Sequence, residues 1–526
     1  MDEKNGWFQL ESSTLRSSAL PPSRNITHIS PMDDYRQQES HAQVPTNSLE
    51  QKQTAESPSH SQDVSPFRPD PDQKAAQNAH SSHPWSEDMP AELHSQTVGQ
   101  RGPVLEQDNI LHETLETFVH TKILERPVHV KGFGAFGYFQ TVHPMTEYTK
   151  LCFLQTPGQQ VPVTVRFSLA VSNKGTPDTS RNVRGFSTKF YTDEGVFDLV
   201  CNHIPVFSVR DAIRFPESIK AFLPSPKNNL IDPERFWSFV ARAPESTHFL
   251  VWLYSDVGTV KSLRHMKGHS VNTYVWKNTQ GVRTYVKYHW IPFGGEKYLN
   301  AQEAARLACE NPDIAGKDLY DTIAAGKIAD YGLYVQLMNP DDAAHLPYDP
   351  LDDTKIWDEQ QYPLKPVGRL VLNRNPDNYM EQVEKIAFSP SNLLEGAELS
   401  DDKMLQGRSN IYWDSQRRRL GPDFRGIPVN HQADWSPASL VTSGNGRTVE
   451  GQIERSDLSQ PDDFTQAGQF YHALSSAQQD HLVDNLSADL KNISRETQRV
   501  VIGYLHEASK ELGDRVARQI EESSKG

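Results

Sequence analysis

Residues 161–168 read Val161-Pro-Val-Thr-Val-Arg-Phe-Ser168. Successive side chains of an extended chain point to opposite faces, so Val161, Val163, Val165 and Phe167 share one face and Thr164, Arg166 and Ser168 the other. That alternation is the pattern of a strand with one apolar side to bury. Further strand-like runs lie at 196–207, 248–254, 271–276 and 284–290, with turn residues between them. Several short strands separated by turns predict a β-barrel or sandwich. Helical patterns at 301–308 and 318–325 fall among the strands, which makes the class α+β.

Outward from this region the composition changes. Residues 1–75 are rich in Ser, Gln and Pro, carry no helical or strand period, and predict a disordered polar extension. Residues 340–455 are irregular and rich in Pro, Asn and Asp, and read as extended coil. Near the end, Leu482, Leu486, Leu490 and Ile493 recur at helical spacing, as do Val501, Leu505, Leu512 and Val516, predicting two or three helices. The low hydrophobic fraction of the 526-residue chain, 36%, belongs partly to the polar extension.

A formal charge of −15 argues against nucleic acid and against an anionic membrane surface as partners. The apolar runs are too short to span a bilayer. Cys152, Cys201 and Cys309 stand far apart with no CxxC pair, which disfavours both a disulfide framework and a cysteine-rich zinc site. A reduced, cytoplasmic protein is expected.

Gly132-Phe-Gly-Ala-Phe-Gly137 matches GxGxxG, but the residues after it read as a strand, where a dinucleotide site needs a helix. The nucleotide reading is rejected; the glycines fit a close backbone approach or the start of a strand. Four other blocks could carry chemistry. His129 stands just before this strand, and Arg166 and Ser168 share a strand face. Asn202 interrupts an apolar run, where a buried amide needs partners. Arg408 and Tyr412, at i and i+4, face the same side of a helix, and a guanidinium beside a phenol favours phenolate. Singly, these also fit a structural histidine, a solvated strand face, a turn, and a basic helix face.

Together the blocks resemble the monofunctional haem catalases of the short-subunit type, over residues 101–432. The resemblance rests on Arg101-Gly-Pro-Val-Leu-Glu-Gln-Asp108, Arg126-Pro-Val-His-Val-Lys-Gly-Phe-Gly-Ala-Phe-Gly-Tyr-Phe139 and Val165-Arg-Phe-Ser168. It continues through Arg184-Gly-Phe186, Asp198-Leu-Val200 with Asn202, and Val367-Gly-Arg-Leu-Val-Leu-Asn-Arg-Asn-Pro376. It ends with Asp402-Lys-Met-Leu-Gln-Gly-Arg408, the Tyr412 block and Ile427-Pro-Val-Asn430. The implied fold is an antiparallel eight-stranded β-barrel with a wrapping coil and a C-terminal helical unit. The implied segments after the extension are an N-terminal arm (76–129), the barrel core with helices (130–374), a wrapping segment carrying the haem ligand (375–455) and a C-terminal helical domain (456–526).

The resemblance also implies a cofactor, haem b, and roles for single residues. Tyr412 would be the proximal iron ligand, with Arg408 holding it as phenolate. His129 would be the distal acid–base, Ser168 its hydrogen-bond partner, and Asn202 the group that orients peroxide. Arg126, Arg166 and Arg419 would pair with the haem propionates. Val128 would pack over the haem, and Phe207 and Phe215 would line its distal side. The implied reaction is disproportionation of two H2O2 to O2 and two H2O through an oxyferryl porphyrin-radical state.

Departures from the family cluster along the implied substrate channel, where an Asp is Asn182, a Val is Ala170 and a second Phe is Ser208. They motivate a second reading, a catalase-fold haem oxidase or peroxidase acting on a bulky organic substrate, as in fungal specialised metabolism. An NADPH site is matched at His248 and Ser255 but not at Val257 and Ile291, so NADPH binding is expected to be weak or absent. A homo-oligomer, by resemblance a tetramer, is expected.

Overall fold

A computed structural model describes residues 94–120, 122–431, 450–455 and 462–523. The polar extension at 1–75 and the first part of the arm lie outside the described residues, as do 432–449 of the wrapping segment. The strands are β1 Gly132–Thr141, β2 Gln160–Leu169, β3 Arg184–Thr192, β4 Gly195–Asn202, β5 Gly268–His269, β6 Tyr274–Lys277, β7 Arg283–Pro292, β8 Ala329–Met338, β9 Lys365–Arg374 and β10 Ala397–Leu399. All pairings are antiparallel. They run β1-β2-β3-β4-β5-β7-β8-β9, and β9 pairs again with β1, so eight strands close into a barrel while β6 and β10 extend from β7. Closure leaves the ring without unpaired edges. The eight-stranded barrel expected from the sequence is the fold observed.

The register explains where a site can form. Val161, Val163, Val165 and Phe167 of β2 point into the main apolar core with Phe139, Phe186 and Trp290. The polar face of β2 is not solvated: Thr164, Arg166 and Ser168 are only 1%, 3% and 6% exposed. Buried polar side chains need partners: Thr164 Oγ1 meets the Tyr191 hydroxyl, Arg166 donates to the His129 and Val130 carbonyls, and Ser168 Oγ meets His129 Nδ1. In β1, a Cβ on Gly137 would lie 1.8 Å from the Val371 carbonyl oxygen of β9, beside a bulge at Phe136/Gly137. Gly137 therefore serves backbone approach between strands, while Gly132 and Gly134 make room for the Arg166 and Val383 side chains.

The described helices are α1 Asn109–His120, α2 Phe215–Phe222, α3 Pro233–Ala241, α4 Thr247–Tyr254, α5 Ala301–Glu310, α6 Ile314–Ala324, α7 Lys403–Leu420, α8 Thr465–Ala473, α9 Ser476–Leu490, α10 Arg495–Ala508 and α11 Lys510–Ser523. The run at 248–254, read as a strand, is helix α4. Every residue of α4 except Trp252 is buried, so no amphipathic period marks it, and an unbroken apolar run fits either element. The strand read at 196–207 ends at Asn202, and the one read at 271–276 starts only at Tyr274, because Val271 has φ 63°. The segment read as coil from 340 carries β9, β10 and α7. Four helices, α8–α11, follow residue 461 where two or three were expected. They pack with α3 and α4 in a second core through Trp237, Leu250, Leu486, Leu505 and Val516.

Candidate active site

His129 sits between the arm and β1 with φ 62°, a conformation that costs a residue bearing a Cβ about 1 kcal/mol or more. Three contacts hold it there. Its N–H donates to the Ala170 carbonyl (2.7 Å), Arg166 Nη1 donates to its carbonyl (2.9 Å), and its Nδ1 lies 2.9 Å from Ser168 Oγ. Gly185 leaves room for that pair: a Cβ there would stand 2.6 Å from Ser168 Oγ and 2.9 Å from His129 Nδ1. Burial, with help from Arg166, Arg408 and Arg126, pushes the His129 pKa down to about 3, so the imidazole is neutral. Asn202 closes β4 and lines the same cavity as His129 and Ser168.

Tyr412 lines that cavity from α7. The Asp402 side chain caps α7, accepting from the N–H groups of Met404 and Leu405 (2.8 and 2.9 Å). One turn before Tyr412, Arg408 Nη2 donates to the phenol oxygen at 3.1 Å. Burial opposes the Arg408 charge, but Tyr412 and Tyr274 outweigh it and raise its pKa. The expected i, i+4 pairing therefore forms, with Arg408 buried and Tyr412 half-buried.

A third cluster gathers Arg126, Arg166 and Arg419 around one carboxylate, Glu384. Arg126 Nη1 is 3.3 Å and Arg419 Nη2 4.0 Å from Glu384 Oε1. Burial and then the neighbouring guanidinium groups lower the Arg126 pKa, and burial lowers that of Arg419 to about 10. Arg126 Nη1 and Arg166 Nε are buried without a hydrogen-bond partner. Three cations against one anion leave uncompensated positive charge, which Arg126 and Arg166 bring to the lining of an apolar cavity of about 360 Å³, where Arg166 Nε has no acceptor; Arg419 is not in that lining, and its donors go to the Leu124 and Glu384 carbonyls and to Gln416 Oε1. A flat apolar cofactor carrying two carboxylates would satisfy both the charge and the idle donor, so the residues fit haem with its propionates.

The remaining expected residues join this region. Val128 and Phe215 line the 360 Å³ cavity, and with Phe207 and Arg408 they line a second one of about 250 Å³. Ala170, Asn182 and Ser208 line the second cavity. Asn182 is pinned, donating to the Val171 carbonyl (2.6 Å) and accepting from its N–H (3.2 Å). Ser208 Oγ pairs with Ser218 Oγ at 2.8 Å. Sequence reasoning missed Glu384, Gly185 and Asn272. Gly185 stood within a quoted motif, but Glu384 carried no local signal, since its partner Arg126 is 258 positions away.

The catalase family model matches residues 83–460, and a second, described as catalase-related immune-responsive, matches 457–520. The chain belongs to the catalase family. It is 40% identical over 456 residues to catalase isozyme 3 of Zea mays, covering 81% of this chain and 92% of that one. It is also 40% identical to catalase-1 of Arabidopsis thaliana, covering 81% and 93%. Catalase A from Saccharomyces cerevisiae aligns with a TM-score of 0.76 at 32% identity, covering 82% of this chain and 97% of that chain. A fungal catalase crystal structure aligns at 0.77 and 34%, covering 82% and 94%. These relatives do not favour the bulky-substrate oxidase reading. Among the described residues, no helix is long and apolar enough to cross a membrane.

Proposed function

We propose that this member of the catalase family is a haem catalase that disproportionates H2O2. The observation that carries the reading is a single cavity lined by His129, Ser168 and Asn202 and also by Tyr412, whose oxygen Arg408 contacts. Haem b, held through its iron by Tyr412 and through its propionates by Arg126, Arg166 and Arg419, would supply the two-electron redox chemistry. Val128, Phe207 and Phe215 would pack against it.

The side chains do the proton work. With Nδ1 engaged by Ser168, Nε2 is the His129 nitrogen free to act. Being neutral, it accepts a proton from one peroxide oxygen and returns it to the other, so that water leaves. The Asn202 amide orients the peroxide and donates to the oxygen that gains charge. Arg408 stabilises negative charge on the Tyr412 oxygen. Apolar walls exclude water and larger donors.

NADPH is not part of this assignment. His248 has both ring nitrogens engaged, with Thr354 and Trp252, and Ser255 Oγ donates to the Trp252 carbonyl. A homotetramer is the assembly we assign. Helix α1 has no buried residue and exposes Ile110, Leu115, Phe118 and Val119, an apolar surface suited to another subunit. Three free cysteines suit the reducing cytoplasm. The test is an oxygen-electrode trace on the purified haem-loaded protein. Rapid O2 release from H2O2, lost by at least about 100-fold in His129→Ala, is expected; a ferric haem spectrum without O2 release would overturn the reading.

A further inference from the structure

We propose that Asn272 is a positioning residue for the Tyr412 side of the site: its amide joins Arg408 to two buried carboxyl groups, Asp402 and Asp353, and carries the charge state of Asp353 to the guanidinium. This rests on the reading of Tyr412 as the haem ligand. Asn272 is fully buried and follows Val271, whose φ of 63° turns the chain at this point. Its Oδ1 accepts from Arg408 Nη1 at 2.5 Å. Both Nδ2 hydrogens are then left for the carboxyls, Asp402 Oδ2 at 2.8 Å and Asp353 Oδ2 at 3.2 Å. The flipped amide would set N–H against guanidinium and oxygen against carboxyl, so the network fixes its direction.

The two carboxyls are unequally supported. Asp402 accepts from Asn272 and from the N–H groups of Met404 and Leu405. Asp353 accepts from Asn272, and its Oδ1 is buried with no hydrogen-bond partner. Two carboxyls on one buried amide do not both ionise readily. The better-supported Asp402 takes the charge, and Asp353 keeps the proton. Burial, then Asp402 and Asp352, push the Asp353 pKa far up against the pull of Lys287 and Arg408; burial takes Asp402 only to about 6. Lys287 acts on both carboxyls, and Tyr274 and Tyr412 act on Arg408. Ionising Asp353 places a second negative charge behind the amide. That charge polarises Oδ1, holds Arg408 more strongly, and draws positive charge away from the Tyr412 oxygen.

The experiment follows the ferric absorption spectrum and the reduction potential of the haem-loaded full chain between about pH 7 and 10, above the range in which Asp402 titrates, in wild type, Asp353→Asn, Asn272→Ala and Tyr412→Phe. The wild-type potential is expected to fall, with a matching spectral shift, as Asp353 ionises. Asp353→Asn, which imitates the protonated acid, should keep the low-pH spectrum throughout, and Asn272→Ala should alter the spectrum at every pH. A pH response unchanged in Asp353→Asn, a wild type with no response, or a wild-type spectrum in Asn272→Ala would each overturn the bridge. Tyr412→Phe judges the underlying reading separately: an altered spectrum upholds it, and an unaltered one overturns it together with the bridge.

Discussion

His129 Nδ1 and Ser168 Oγ lie 2.9 Å apart across the start of the barrel, and this contact decides which imidazole nitrogen is free. The serine fixes the ring's orientation, while burial and the neighbouring cations keep it neutral. Ser168→Ala leaves the ring in place but unfixed. The expected result is a fall of about tenfold in kcat/KM for H2O2, at the mild end of the range for acid–base groups, with haem content unchanged.

The left-handed backbone at His129 makes a stability prediction separable from activity. Glycine adopts φ 62° without a Cβ penalty and alanine does not. His129→Gly is therefore expected to be more stable than His129→Ala by about 1 kcal/mol, the reverse of the usual order. Both lose O2 release. Chemical denaturation of the two variants side by side measures the difference.

Gly185 is required by the same pair. An added methyl meets Ser168 Oγ and His129 Nδ1 at contact distances no Cβ tolerates. Gly185→Ala should cost about tenfold or more in O2 release, because displacing the imidazole by a few tenths of an ångström spoils its reach. Full activity in the Gly185→Ala variant would show that the ring position is not critical.

Acid should unfold the protein steeply. Burial holds the pKa of His129, His203 and His289 at about 3 and of His248 at about 4, and holds His269 well below its usual value. All five regain a value near 6.5 on unfolding. Their depressed folded pKa values favour the fold above about pH 6.5, and that support is lost as pH falls from about 6.5 towards 3. The raised folded pKa of Asp402, about 6, and the upward shift of Asp353 act the other way and offset part of that loss. A fall in stability between about pH 6 and 5 is expected, read from chemical denaturation at a series of pH values.

Lys189 and Asp198 form a fully buried ion pair at 2.6 Å, and Asp198 also accepts from Ser389 N–H and Asn392 Nδ2 (2.9 and 2.6 Å). The pair thus fastens the wrapping segment to β3 and β4. Burial lowers the Lys189 pKa and raises that of Asp198, and each partner opposes the shift of the other. Lys189→Met should destabilise the fold by about 3–5 kcal/mol by stranding the carboxylate. The double variant Lys189→Met/Asp198→Leu should recover part of that loss in urea denaturation.

Alternation along Val161–Ser168 and the i, i+4 spacing of Arg408 and Tyr412 are properties of near neighbours, so the sequence by itself determined a β2-type strand, a helix face shared by Arg408 and Tyr412, and the polar and helical ends of the chain. The family resemblance named residues that, Arg419 apart, line two cavities in the fold. What only the tertiary structure decided lies between distant segments. The helical state of 248–254 depends on burial on every side, which local periodicity does not record. The placement of Glu384 among Arg126, Arg166 and Arg419, and of Asn272 between Arg408 and two carboxyls, arises from barrel closure and from the wrapping segment folding back onto the barrel. Charge balance in a buried site is a sum over neighbours in space, and neighbours in space are set by packing rather than by position along the chain.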